Sequence, residues 1–200
     1  MRKTAAFVIV LASLFPFISC KKDNNSPTES SALSGSWTFM GIHAITSATA
    51  VDKGGGFNTR VITTSDYTTT GNAGTVAISG NTMTGTGITY SSNIIMFATE
   101  YEDDILQDTF STALPFTIPP TNSTSGFEVI GKDSIHYTGT SLLGSGGAGM
   151  PAATGAKFSV SGNMLTLTSY VVQDKAVDEG SGETVTQHET ATVVSTLQKQ

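Results

Sequence analysis

The chain has 200 residues, with 16 acidic against 10 basic side chains and a formal charge of −6. That length holds one sizeable domain or two small ones, and 38% hydrophobic content is enough for a core, which excludes charge-driven disorder. A sequence pI near 4.9 excludes a basic nucleic-acid binder, because such a surface repels phosphate. Charged residues are only 13% of the chain, whereas Ser and Thr together exceed a quarter of it.

The N-terminus carries Arg2 and Lys3, an apolar run from Ala5 to Ile18, and then Ser19-Cys20. A basic n-region, a short apolar h-region and a small residue make a secretory signal. The run is short for a membrane span and contains Pro16. Residues 1–19 are therefore expected to be removed. Phe17-Ile18-Ser19-Cys20 resembles the lipobox of bacterial lipoproteins, with Phe17 where Leu is commonest. The resemblance implies that Cys20 is acylated and becomes the first mature residue, anchoring the protein in a membrane; several acyl chains at about 0.8 kcal/mol per buried methylene hold firmly. Cys20 is the only cysteine, so an internal disulfide is excluded and the fold must rest on packing and sheet hydrogen bonds. Residues 20–32 are Cys20 followed by KKDNNSPTESSA, the composition of a flexible tether. Lys21 stands where inner-membrane lipoproteins carry Asp, and the resemblance therefore implies the outer membrane, with surface exposure as an option.

Residues 33–200 are expected to form a single β domain. No stretch of twelve residues shows 3.6-residue apolar spacing, while Thr, Val, Ile, Tyr and Phe recur in short alternating runs. β-branched side chains suit a pleated surface. In chain order the runs are 36–45, 57–63, 75–79, 82–90, 94–102, 105–118, 127–130, 134–138, 157–161, 164–175 and 184–197, about ten strands. Gly80-Asn81 and Gly162-Asn163 each join two alternating arms, a two-residue hairpin signal. Gly131-Lys132-Asp133 marks a third turn, and Asp103-Asp104 ends another arm pair. Pro115, Pro119 and Pro120 are expected to stop their ladder, because proline donates nothing to it. The Gly-rich stretch 139–155 reads as a loop or a flap at a ligand mouth; it lacks the Lys-Ser/Thr and the helix of a phosphate cradle.

Leu33-Ser34-Gly35-Ser36-Trp37 opens the first strand with the only Trp of the chain. A Gly-x-Trp there, followed by antiparallel hairpins, resembles the lipocalin or calycin families, and more closely the lipocalin-like lipoproteins of bacteria. The resemblance implies an antiparallel β-barrel or strongly curved sheet of about 8–10 strands, with Trp37 closing one end and Gly35 giving the backbone room to enter the strand. In that family an Arg of the last strand packs on the Trp; the only Arg after residue 20 is Arg60, so no counterpart is expected. Ser65-Asp66-Tyr67 is similar to the family's Thr-Asp-Tyr but comes early in the chain. Alternation places Phe39, Ile78, Val129, Ile135, Val160, Leu165 and Leu167 toward the interior with Trp37, where they are candidate cavity-lining residues.

Catalytic chemistry finds little support. His43, His136 and His188 stand singly on separate strands, a poor zinc set. Glu100 and Glu102 share a strand face, as a glycosidase pair would, but lie beside the charged turn Asp103-Asp104. No Gly-x-Ser-x-Gly elbow, nucleophilic cysteine or dinucleotide fingerprint is present. The expectation is a non-enzymatic lipoprotein, without cofactor or metal, that binds a small apolar ligand or a protein partner. The alternatives are a structural or surface-interaction lipoprotein whose barrel is filled by its own side chains and, behind both, a hydrolase.

Overall fold

The computed structural model describes residues 32–53, 56, 58–139, 141–142, 152–178 and 184–200. The signal, Cys20, nearly all of the tether and the centre of the Gly-rich stretch lie outside the described residues. Among the described residues nine antiparallel strands follow one another: β1 (Gly35–Asp52), β2 (Thr59–Thr68), β3 (Thr70–Ser79), β4 (Thr82–Glu102), β5 (Ile105–Ile130), β6 (Ser134–Tyr137), β7 (Gly155–Ser161), β8 (Met164–Asp178) and β9 (Thr184–Lys199). Each pairs with its sequence neighbour or the strand beyond, and β9 returns to pair with β1. The result is one large antiparallel sheet containing a ring of eight strands.

β2 and β3 lie end to end in the same slot between β1 and β4. β2 pairs with the later half of β1 and β3 with its first residues, and both pair with β4. At the junction, the Thr69 hydroxyl accepts from the Ile42 N–H at 2.9 Å and donates to Asn72 Oδ1, so the break leaves that buried donor satisfied. Nearby, Gly74 has φ +108°, and a Cβ there would lie 2.7 Å from the Gly87 carbonyl oxygen, so the two strands need a glycine to approach.

The strands are longer and fewer than the alternating runs suggested. Residues 82–90 and 94–102 fuse into β4, because Ser92 keeps the inward position and Asn93 the outward one across the polar gap. β5 runs straight through Pro115, Pro119 and Pro120, which was not expected. Among the described residues, β5 has no neighbour on its second side from Ile105 through Thr124, so a missing N–H costs least there. Pro119 and Pro120 also coincide with a shift in register against β4. The Gly-Asn hairpins form as read, with Gly80 at φ +56° and Gly162 at φ +60°. Asp103 and Asp104 both have positive φ and make the β4–β5 turn, a backbone that Asp tolerates better than most residues.

The core sits where all eight strands of the ring are present. Trp37, Phe39, Val76, Ile78, Met83, Phe127, Leu165 and Leu197 are buried there from six strands. β6 and β7 are short and reach only this end. Beyond them six strands, β5, β4, β2, β1, β9 and β8, continue toward the Asp103 turn as an open trough.

Candidate functional site

The Gly-x-Trp motif builds the closed end. Gly35 takes φ +138°, open to glycine and strained for other residues. Two residues on, Trp37 points inward, and its indole N–H donates to the Leu33 carbonyl at 2.9 Å, which satisfies the polar atom of a fully buried ring. Trp37 pairs with Lys199 on β9, whose ammonium lies 5.5 Å from the ring centroid. The cation on the tryptophan is thus supplied by a lysine of the last strand. Lysine carries the same charge as the arginine expected there, and the legible signal for it was Lys199 near the end of the last alternating run.

Six of the candidate lining residues follow the predicted inward face. Phe39, Ile78, Ile135, Leu165 and Leu167 are buried in one cluster with Trp37, and Val129 packs against it half-buried. Val160 departs from the reading. It shares a face with Phe158 and pairs with fully buried Leu165, but the β6–β7 pairing stops at Lys157, so one flank of Val160 has no strand among the described residues and it is 40% exposed. The closed end is filled by these side chains.

Above this core, four aromatic rings form a partition. Phe39 and Tyr90 lie with centroids 5.8 Å apart, Tyr90 and Phe116 at 6.0 Å, and Phe116 and Tyr67 at 6.2 Å, the last two edge to face. Burial pushes the Tyr67 and Tyr90 hydroxyls above the usual phenol pKa, and Tyr67 is raised further by Tyr90. Tyr137 is also raised by burial, against hydrogen bonds with Ser141 and Ser169 that lower it.

The trough beyond the partition has unlike walls. Its floor is small, with Ala44, Thr46, Ala48 and Ala50 on the inward face of β1. On one side, Phe110 and Leu114 of β5 pair with Ala98 and Ile94 of β4 and therefore face inward with them, yet they are 50% and 41% exposed. On the other side, Lys175 of β8 meets Glu189 of β9 at 3.3 Å, and Gln187 donates to Glu189 at 2.6 Å. A concave surface with an apolar wall, small floor residues and a polar wall suits a small ligand with an apolar body.

The remaining candidates lie on the outside or at the rim. His43 is 2.7 Å from Asp66, and His188 is 2.7 Å from Asp174, both on exposed outward faces. These cross-strand partners could not be read from single-strand spacing. Asp66 therefore serves a histidine pair, while its neighbour Tyr67 turns inward. His136 is exposed on β6, opposite Glu128. Glu100 and Glu102 stay at the β4–β5 end, opposite Val61 and Thr59, and continue the inward parity of Ala98 at the rim of the trough. Near them, Arg60 bonds Asp104 at 3.0 Å and lies 4.2 Å over the Tyr101 ring, beside a shallow groove of about 510 Å³ that also touches Lys53 and Asn58. Among the described residues no three His, Cys, Asp or Glu side chains converge as metal ligands, and no helix is long and apolar enough to cross a membrane. No family model, curated protein or solved structure matches the chain.

Proposed function

We propose that the protein is an exported bacterial-type lipoprotein, anchored through acylated Cys20 in the outer membrane, whose lipocalin-like β domain binds a small apolar ligand in the open half of the ring. The observation that carries the reading is the exposure of Phe110 and Leu114 on the concave side, where a monomer would normally cover large apolar groups. The ring of eight strands, Gly35 and the Lys199-capped Trp37 support the lipocalin-like assignment. The lipobox-like Phe17-Ile18-Ser19-Cys20 supports the anchor. A ligand enters above the aromatic partition and lays its apolar body on β4 and β5, with its polar end toward Lys175 and Gln187.

One observation favours a second reading, a surface-interaction lipoprotein that binds no small molecule: the closed half is packed by the protein's own side chains. Two measurements separate the readings. Native mass spectrometry of the protein as purified, and displacement of anilinonaphthalene sulfonate by oleate, should show a bound mass and a saturable site that Phe110→Asp weakens at least tenfold. Absence of both bound mass and displacement would leave only the second reading. For the anchor, Cys20→Ala should abolish palmitate labelling and move the protein out of the membrane fraction; an unchanged membrane-bound fraction overturns it.

A further inference from the structure

β5 presents an unusual edge. From Ile105 through Thr124 its second side is unpaired among the described residues, and the only charged side chain in that stretch is Asp108. Free edges are ordinarily blunted with lysine, proline or bulges. Here the prolines stand together at 115, 119 and 120, and the stretch before them carries neither proline nor lysine.

Pro115 also sets the direction of the backbone groups. It lies opposite Asn93 in the β4 ladder, and an antiparallel strand alternates between residues that bond the neighbour and residues that point away. A proline fits without losing a bond only at the second kind of position. The register against β4 is unbroken from Asp108 to Pro115, so Thr109, Ser111 and Ala113 also turn their N–H and C=O groups away from β4, where the Thr109 N–H donates to Asp108 Oδ1 at 2.8 Å and the other five groups face the open side. Their side chains are short and face outward, beside Phe97, which is 58% exposed on β4 directly opposite Ser111. A groove of about 290 Å³ at this rung is lined by Phe97, Ala98, Thr99, Thr109, Phe110 and Ser111.

We propose that this edge pairs with the same edge of a second copy, antiparallel about a two-fold axis at Ser111. Ser111 then faces its symmetry mate, and Thr109 faces Ala113 of the other copy, which engages about six backbone groups on each side once the Thr109 N–H exchanges Asp108 Oδ1 for the Ala113 carbonyl of the other copy. The charge distribution favours self-pairing. Asp108 of each copy falls opposite Leu114 of the other, so the two carboxylates sit at opposite ends of the ladder, and Pro115 ends it. The outward small row lets Phe97 of both copies close over the junction. An anionic lipid surface is a poor occupant, because the adjoining turn carries Glu100, Glu102, Asp103 and Asp104.

The test uses the full chain with Cys20→Ala, so that acyl chains do not associate by themselves. Sedimentation velocity should show a concentration-dependent monomer–dimer equilibrium, and Ser111→Pro should raise the dissociation constant more than tenfold with an unchanged β-sheet circular dichroism spectrum. Should Ser111→Pro disturb the fold, Ser111→Lys decides, since it places two ammonium groups face to face at the axis on an exposed position. Ser111→Cys should form an intermolecular disulfide on oxidation, and Lys132→Cys, at the closed end, should not. A monomer at every concentration, a dimer indifferent to Ser111→Pro and Ser111→Lys, or equal cross-linking at 111 and 132 overturns the proposal.

Discussion

The Trp37 end and the Asp103 end of the ring are made of the same strands, yet their inward faces meet different surroundings. At the Trp37 end, short β6 and β7 complete the wall, so inward Phe, Leu and Ile side chains from opposite strands touch one another. Toward Asp103 the wall lacks those two strands. Phe110 and Leu114 keep the inward orientation that their pairing with β4 dictates, yet they remain 50% and 41% exposed. Orientation is a local property of the pleat, whereas burial needs a partner across the sheet.

Mutations at the two ends should break this symmetry of sequence most visibly. Trp37→Ala removes the largest fully buried side chain and should cost about 3–5 kcal/mol in urea unfolding followed by circular dichroism. Gly74→Ala, at the β3–β4 approach with its positive φ, should cost about 1–3 kcal/mol, and a cost near zero would mean that the two backbones relax freely. The pH dependence locates the partition between the halves. Tyr67, Tyr90 and Tyr137 ionise later in the folded chain than at the ordinary value of 10.0. The unfolded chain therefore loses its phenolic protons first, and stability should be unaffected by these groups below about pH 9 and fall as pH rises past about 10. Tyr90→Phe should reduce that alkaline loss in thermal melts.

Smaller effects sharpen the comparison. Lys199→Met should destabilise by about 0.5–1 kcal/mol through loss of the cation over Trp37, and Lys199→Arg should restore it. Phe97→Ala, on the outer face near the open end, should shift monomer stability by no more than about 0.5 kcal/mol. A large loss there would mean that Phe97 is packed on the outer face within the monomer.

Much of the fold was legible from alternation. The inward row Trp37, Phe39, Ile78, Leu165 and Leu167 is a period-two pattern, and the Gly-Asn turns carry the positive φ that glycine supplies. Val160 shows where the pattern stops being informative: its parity is correct, but position along the strand decides whether a second strand flanks it. The prolines of β5 misled because a proline reports only a missing N–H, and whether that donor is needed depends on a neighbouring strand. The His43–Asp66 and His188–Asp174 pairs were illegible for a related reason, since each joins two strands through register.

By itself, the sequence determined an all-β chain with alternating faces, hairpins at its Gly-Asn turns and a Gly-x-Trp entry to the first strand. These follow from backbone and rotamer preferences that act within a few residues. Only the tertiary structure decided that β9 closes on β1, that Lys199 covers Trp37, and that β6 and β7 leave one half of the ring open. Those outcomes depend on strand lengths and pairings far apart in the chain, which no local window contains.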